Sequence, residues 1–241
     1  MCAYASETSD ERRKANDERD RRKANEIDER RVDAMAFVAQ ASKSAITLKG
    51  STEMVTEFFG YAVNNILYQR GVYPPESFER KTKYGLGLMV TNEEKLKEYL
   101  VQILEQINAW LMSKTLQKLV LVLTNVQTKE TVERWVFNVQ TDAEITAESE
   151  GKEKNEKVIM GEIQAIIRQI TASVTFLPLL EGECAFELLA YTGKDSATPS
   201  AWEESDPKFV RDSVEMKLRS FSTKVHSVDA SVSYKSEGDE K

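Results

Sequence analysis

Only three side chains in this chain of 241 residues have a thiol or imidazole to offer chemistry: His226, the sole histidine, and the cysteines Cys2 and Cys184. Nucleophilic catalysis needs a base beside a serine, cysteine or threonine, and a zinc site needs three or four ligands at short spacings. Neither set is present. His226 falls in a stretch that reads as a β-strand, with no triad pattern around it, and is expected to be a packed or hydrogen-bonding residue. Nucleophile elbows, phosphate-binding loops, dinucleotide fingerprints and His-Glu-x-x-His motifs are absent, and Tyr84-Gly85-Leu86-Gly87 reads as a turn. Acidic residues are plentiful, but nothing in their spacing makes two of them converge. The chemistry points away from an enzyme, a metal or a cofactor and towards a protein that works by binding.

The bulk properties agree. Hydrophobic residues make up 41% of the chain and charged residues 30%, enough apolar material for one core. A net charge of −7 argues against nucleic acid as a partner. No apolar run approaches the roughly 18 residues of a membrane span, and the polar N-terminus does not read as a secretory signal. Two unpaired thiols suit a reducing compartment, the nucleus or cytosol.

The elements that must position any binding site emerge after a very different start. From Glu7 to Asp33 nearly every residue is charged or small, and Arg12-Arg13-Lys14-Ala15-Asn16 returns as Arg21-Arg22-Lys23-Ala24-Asn25. Opposite charges four apart (Asp10/Lys14, Asp17/Arg21, Glu18/Arg22) support a solvated helix only weakly. Residues 1–45 are therefore expected to be a charged extension, solvated or partly helical. Met35 is an alternative start, which would make residues 1–34 accessory. Order is expected from Ile46 onward. Val55, Phe58, Phe59, Ala62, Val63, Ile66 and Leu67 form a wide helical stripe, with Ser51 as its cap and Gly71 as its end. A second helix is expected from a capping box at Thr91/Glu94, with Leu96, Leu100, Ile103, Ile107 and Trp110 inward. Lys118–Leu123 and Glu133–Val139 read as a hairpin. A third helix carries Ile159, Ile163, Ile166 and Ile170, and Cys184–Tyr191 is a further strand. After a turn-rich loop from Gly193 to Ser200, Met216–Phe221 and Val225–Tyr234 read as strands with weak alternation, a pattern that specifies register poorly. Trp110, Trp135 and Trp202 are candidate contact anchors as well as core.

Several stretches carry a resemblance. Ile46-Thr-Leu-Lys-Gly-Ser51, Asn65-Ile-Leu-Tyr-Gln-Arg-Gly-Val-Tyr-Pro74, Ile167-Arg-Gln-Ile-Thr171, Val174-Thr-Phe-Leu-Pro-Leu-Leu180 and Trp202-Glu-Glu-Ser205 occur in the order and spacing of the HORMA-domain spindle-checkpoint family. The resemblance implies an α+β fold over residues 46–236, three helices on a mostly antiparallel sheet, with a mobile "safety belt" at 193–236. It implies a switch between open and closed conformers, the closed one entrapping a partner peptide as an added strand. Sequestering the activator of the anaphase-promoting complex in this way would delay anaphase. The other implied partners are the kinetochore checkpoint scaffold, a second copy of the chain in an open–closed dimer, and a remodelling ATPase with its adaptor. The implied sites of action are nucleus, kinetochore and cytoplasm. Tyr68 and Trp110 match peptide-groove positions; Trp135, Pro199 and Trp202 are further candidates for it. Arg168, Gln169 and Phe176 match a dimerisation surface, and Leu48 a position that biases the conformers. The alternative within the fold is an adaptor for translesion polymerase or the meiotic chromosome axis. A chain cut before Gly193 is expected to fold and to lose its peptide.

Overall fold

The computed structural model describes residues 45–146, 152–194, 196 and 198–235. The expectations for residues 1–44, Met35 among them, lie outside the described residues. The first strand, β1, is the short Ala45–Ile46.

The wide stripe makes the central helix, α1 (Leu48–Gln69), which packs against both other helices and the sheet. Phe58, Phe59, Ala62, Ile66 and Leu67 have no exposed surface. Its cap is Thr47, whose Oγ1 accepts from the Gly50 amide at 3.1 Å. Ser51 lies one turn inside, fully buried, with its hydroxyl aimed elsewhere. Gly71, at φ +62°, ends the helix in the left-handed region that favours glycine.

Phe78–Lys83 (β2) and Leu86–Thr91 (β3) form a hairpin that the sequence pattern did not announce. Tyr84 and Gly85 between them both have positive φ, 51° and 67°, as a two-residue hairpin turn requires. Thr91 closes β3, so helix α2 (Glu94–Met112) starts later than its capping-box signature suggests. Glu93 is its cap, accepting from the Leu96 amide at 2.6 Å.

The main sheet has five antiparallel strands: β4 (Leu116–Asn125), β5 (Thr131–Thr141), β7 (Cys184–Thr192), β8 (Ser213–Ser222) and β9 (His226–Lys235), in the order β7-β4-β5-β9-β8. The two-residue β6 (Lys152–Glu153) pairs only with β1. β4 is apolar without alternation because both its faces are covered. Leu119, Leu121 and Leu123 enter the main core, and Val120 and Val122 join Val136 in a second cluster on the outer face. Helix α3 (Glu156–Ala172) completes the helical layer, burying Ile159, Ile163, Ile166, Ile167 and Ile170.

The weak alternation of the tail resolves into one register. β9 pairs with β5 from Tyr234↔Glu133 to His226↔Thr141, and β8 lies outside it. The tail supplies core: Val228 and Val232 are fully buried, and Phe221 meets Phe58 edge-on at 4.9 Å. A cut before Gly193 would strip two of five strands, with Phe221, Val228 and Val232, from the sheet and core, which counts against the expectation that such a fragment folds.

Candidate functional site at a free sheet edge

With β9 and β8 stacked on the β5 side, β7 ends the sheet on the other side, and among the described residues no strand pairs with its outer edge. An unpaired edge offers a row of backbone N–H and C=O groups to any extended chain. Successive β7 side chains divide between the faces. Phe186, Leu188 and Ala190 join the helix-side core, and Leu189 and Tyr191 the outer cluster.

Beside the edge on the helix side, Tyr73, Glu93, Lys95, Leu96, Tyr99 and Phe186 line an open cleft of about 480 Å³. Phe186 meets Tyr73 and Tyr99 edge-on, at 6.1 and 5.8 Å between centroids. Burial raises both tyrosine pKa values, helped by Glu187 near Tyr99 and Glu93 near Tyr73, so both stay neutral phenols. Tyr68 is half-buried against Phe78 of the β2 hairpin, at 5.3 Å, and the ring contacts to β7 come from Tyr73 and Tyr99 instead.

The chain leaving β7 passes from one face of the sheet to the other. The Gly193 amide donates to the Thr115 carbonyl at 2.9 Å. Pro199 accepts from the Trp202 amide, a turn that sets the Trp202 ring edge-on to Trp110 at 4.8 Å on the helix side. Only five residues later, the Pro207 carbonyl accepts from Arg134 Nε at 3.1 Å on the outer face. Lys208 then pairs with Glu187 of β7 at 3.8 Å. Residues between 202 and 207 thus carry the chain past β7. Trp110 and Trp202 meet, and Pro199 bonds to Trp202, so these three candidates are brought together. Trp135 does not join them: it is fully buried, donating Nε1 to Glu133 Oε2 at 3.1 Å, and presents nothing to a peptide. It alternates on β5 with Phe137 and Val139, and that face is the core.

Behind the site lies a buried ion pair between Arg70, at the end of α1, and Glu133 on β5, each side chain 2% exposed. Arg70 also donates to the Pro178 carbonyl, on the run into β7. Burial pushes the Glu133 carboxyl up, and Arg70 opposes that shift.

The tail is fastened at two further places. Ser51 Oγ lies 2.6 Å from both His226 Nδ1 and Thr223 Oγ1, tying the start of α1 to the β8–β9 turn. Burial lowers the His226 pKa to about 4, so the ring is neutral here. Leu48 is buried one turn before Ser51. On the far edge, Gln169 Oε1 accepts from the Arg219 amide at 2.7 Å, and Glu162 Oε2 from the Ser222 amide at 3.1 Å. Gln169 is therefore occupied within the chain, whereas Arg168 and Phe176 are exposed. Sequence reasoning missed Tyr73, Tyr99, Phe186 and Arg134. Aromatics near a proline turn were the available signal for the first, and an arginine on a strand next to Val136 for the last.

A HORMA-domain family model matches residues 51–226. The chain is 60% identical over 202 residues to a Dictyostelium discoideum protein named mitotic spindle assembly checkpoint protein MAD2A, covering 83% of this chain and 98% of that one. It is 50% identical to the human MAD2A protein over 193 residues, 80% of this chain and 94% of the relative. Among solved structures it is similar to a chain in the crystal structure of a mitotic checkpoint complex, with TM-score 0.71 and 46% identity over 78% of this chain and all of that one.

Proposed function

Because this chain belongs to the HORMA-domain family, and within it to the mitotic spindle assembly checkpoint proteins, we propose that it delays anaphase by enclosing a segment of the activator of the anaphase-promoting complex. The segment adds to β7 as a sixth strand, and the belt that crosses from Trp202 to Pro207 closes over it. The work is binding: backbone groups of β7 supply strand pairing, and the Tyr73–Tyr99–Phe186 cleft receives a side chain.

One observation carries the reading. The free edge and the crossing segment are adjacent, so a strand paired with β7 lies between them. Such a ligand leaves only when the belt opens, and its off-rate follows a conformational step. The β8–β9 hairpin on β5, remote from β7, supports the closed conformer as the state described here. An open conformer would free the hairpin, and the buried contacts of Leu48 and Ser51 near the tail turn make the start of α1 the place that senses the change. The kinetochore scaffold competes for the same edge. Arg168 and Phe176, exposed at α3 and just beyond it, serve the open–closed dimer, with Gln169 shared between that surface and β8. A remodelling ATPase with its adaptor reopens the belt. This activity spans kinetochore, nucleus and cytoplasm.

The test is a protease site placed within residues 203–206 and labelled synthetic peptides spanning the activator. One peptide binds and dissociates slowly from the intact chain. Cutting the belt in the preformed complex speeds release about tenfold or more; release at an unchanged rate would overturn the enclosure.

A further inference from the structure

Arg134 stands on the outer face of β5, where an arginine would ordinarily reach into water, yet it is only 7% exposed. Its guanidinium joins three parts of the chain. Nε donates to the Pro207 carbonyl at 3.1 Å, in the belt. Nη2 donates to the Tyr191 hydroxyl at 3.3 Å, on the edge strand. The guanidinium carbon lies 5.0 Å from the ring centroid of Phe209, again in the belt. Val122 pairs with Arg134 on one side and Glu187 on the other, so the belt residues Pro207 and Lys208 lie along this single row across the sheet.

Phe209 is 70% exposed, so burial contributes little to holding it. Lys208 beside it has φ +50°, a left-handed backbone uncommon for a non-glycine residue with a long side chain. Val210 is buried and Lys208 pairs with Glu187, but the contacts to Pro207 and Phe209 both come from Arg134, through a planar fork that lysine cannot reproduce.

We propose that Arg134 is the outer latch of the belt: its bond to the Pro207 carbonyl and its stacking under Phe209 set the rate at which residues 203–210 lift from the sheet. The Trp110–Trp202 pair secures the belt on the helix side, and Arg134 secures it on the other. What the latch retains rests on the enclosure reading above; that it governs belt opening does not.

Limited proteolysis of the full chain without ligand, cut at a protease site engineered into residues 203–206, tests it. Arg134→Ala speeds cleavage there about tenfold, with the exchange of the β4 amides unchanged. Arg134→Lys restores little of the resistance. Phe209→Ala, at an exposed position that cannot unfold the core, gives a severalfold acceleration that disappears in the Arg134→Ala background. Cleavage at the parent rate in Arg134→Ala overturns the latch, as does full additivity of the two substitutions. Faster cleavage with unchanged release of a bound activator peptide would support the latch while contradicting enclosure.

Discussion

The two edges of the main sheet are treated in opposite ways. At β8, side chains of α3 and the segment before it occupy the outward backbone groups. Glu162 accepts from the Ser222 amide, Gln169 from the Arg219 amide, and Lys154 donates to the Ser222 carbonyl at 2.5 Å. A register shift between Lys217 and Ser220 and the charges of Glu215, Lys217 and Arg219 discourage any further pairing. At β7 no described side chain fills that role. An aromatic cleft lies beside the strand and a loop passes over it. Edge protection is thus applied selectively, and the edge left unsealed is the one that the belt covers.

The contrast can be broken from either side. The largest effect is expected from Arg70→Ala, which strands the Glu133 carboxylate in the core behind β7 and releases the Pro178 carbonyl. Removing one partner of a buried pair costs about 3–5 kcal/mol, and urea unfolding would read the loss. The tail side responds to acid through His226. Unfolded imidazole binds a proton below its ordinary pKa of 6.5, whereas the buried ring does so only below about 4. Lowering the pH through that window therefore favours states with His226 exposed, by up to about 3 kcal/mol, and stability is fully retained above it. His226→Gln should flatten that pH dependence. Trp202→Ala removes the ring that meets Trp110 on the helix side: ligand release should quicken roughly thirtyfold, about 2 kcal/mol, beyond the modest fall in melting temperature that the lost packing causes. Glu162→Gln weakens the β8 seal by about 1–2 kcal/mol, read as faster exchange at the Ser222 amide. Arg168→Ala should change stability by less than about 0.5 kcal/mol yet lower self-association in sedimentation. An unchanged dimer population would remove Arg168 from that surface.

The fold was legible in the sequence wherever a face is buried along its whole length. The α1 stripe and the isoleucines of α3 appear where periodicity puts them, because a core selects every third or fourth side chain. The β2–β3 hairpin escaped notice because Phe78-Glu-Arg-Lys-Thr-Lys83 is charged and largely exposed on both sides, leaving no alternation. Tail pairing was equally hidden: serines and charges interrupt β8 and β9, and their contacts with β5, α1 and α3 fix the register. Of the site, Trp110 and Trp202 were visible as anchors, whereas Trp135 was misplaced because an alternating strand does not reveal which face meets solvent. Arg134 had only a weak signal, its place two residues from Val136, since its burial depends on a loop more than seventy residues away in sequence.

The central claim, that a partner adds to β7 beneath the belt, is tested most directly by amide hydrogen exchange with and without an activator peptide. The account predicts new protection in the amides of Cys184–Thr192 and of residues 203–210, with Ser213–Ser222 unchanged. Protection that appears along β8 instead, or binding without any gain at β7, would contradict it.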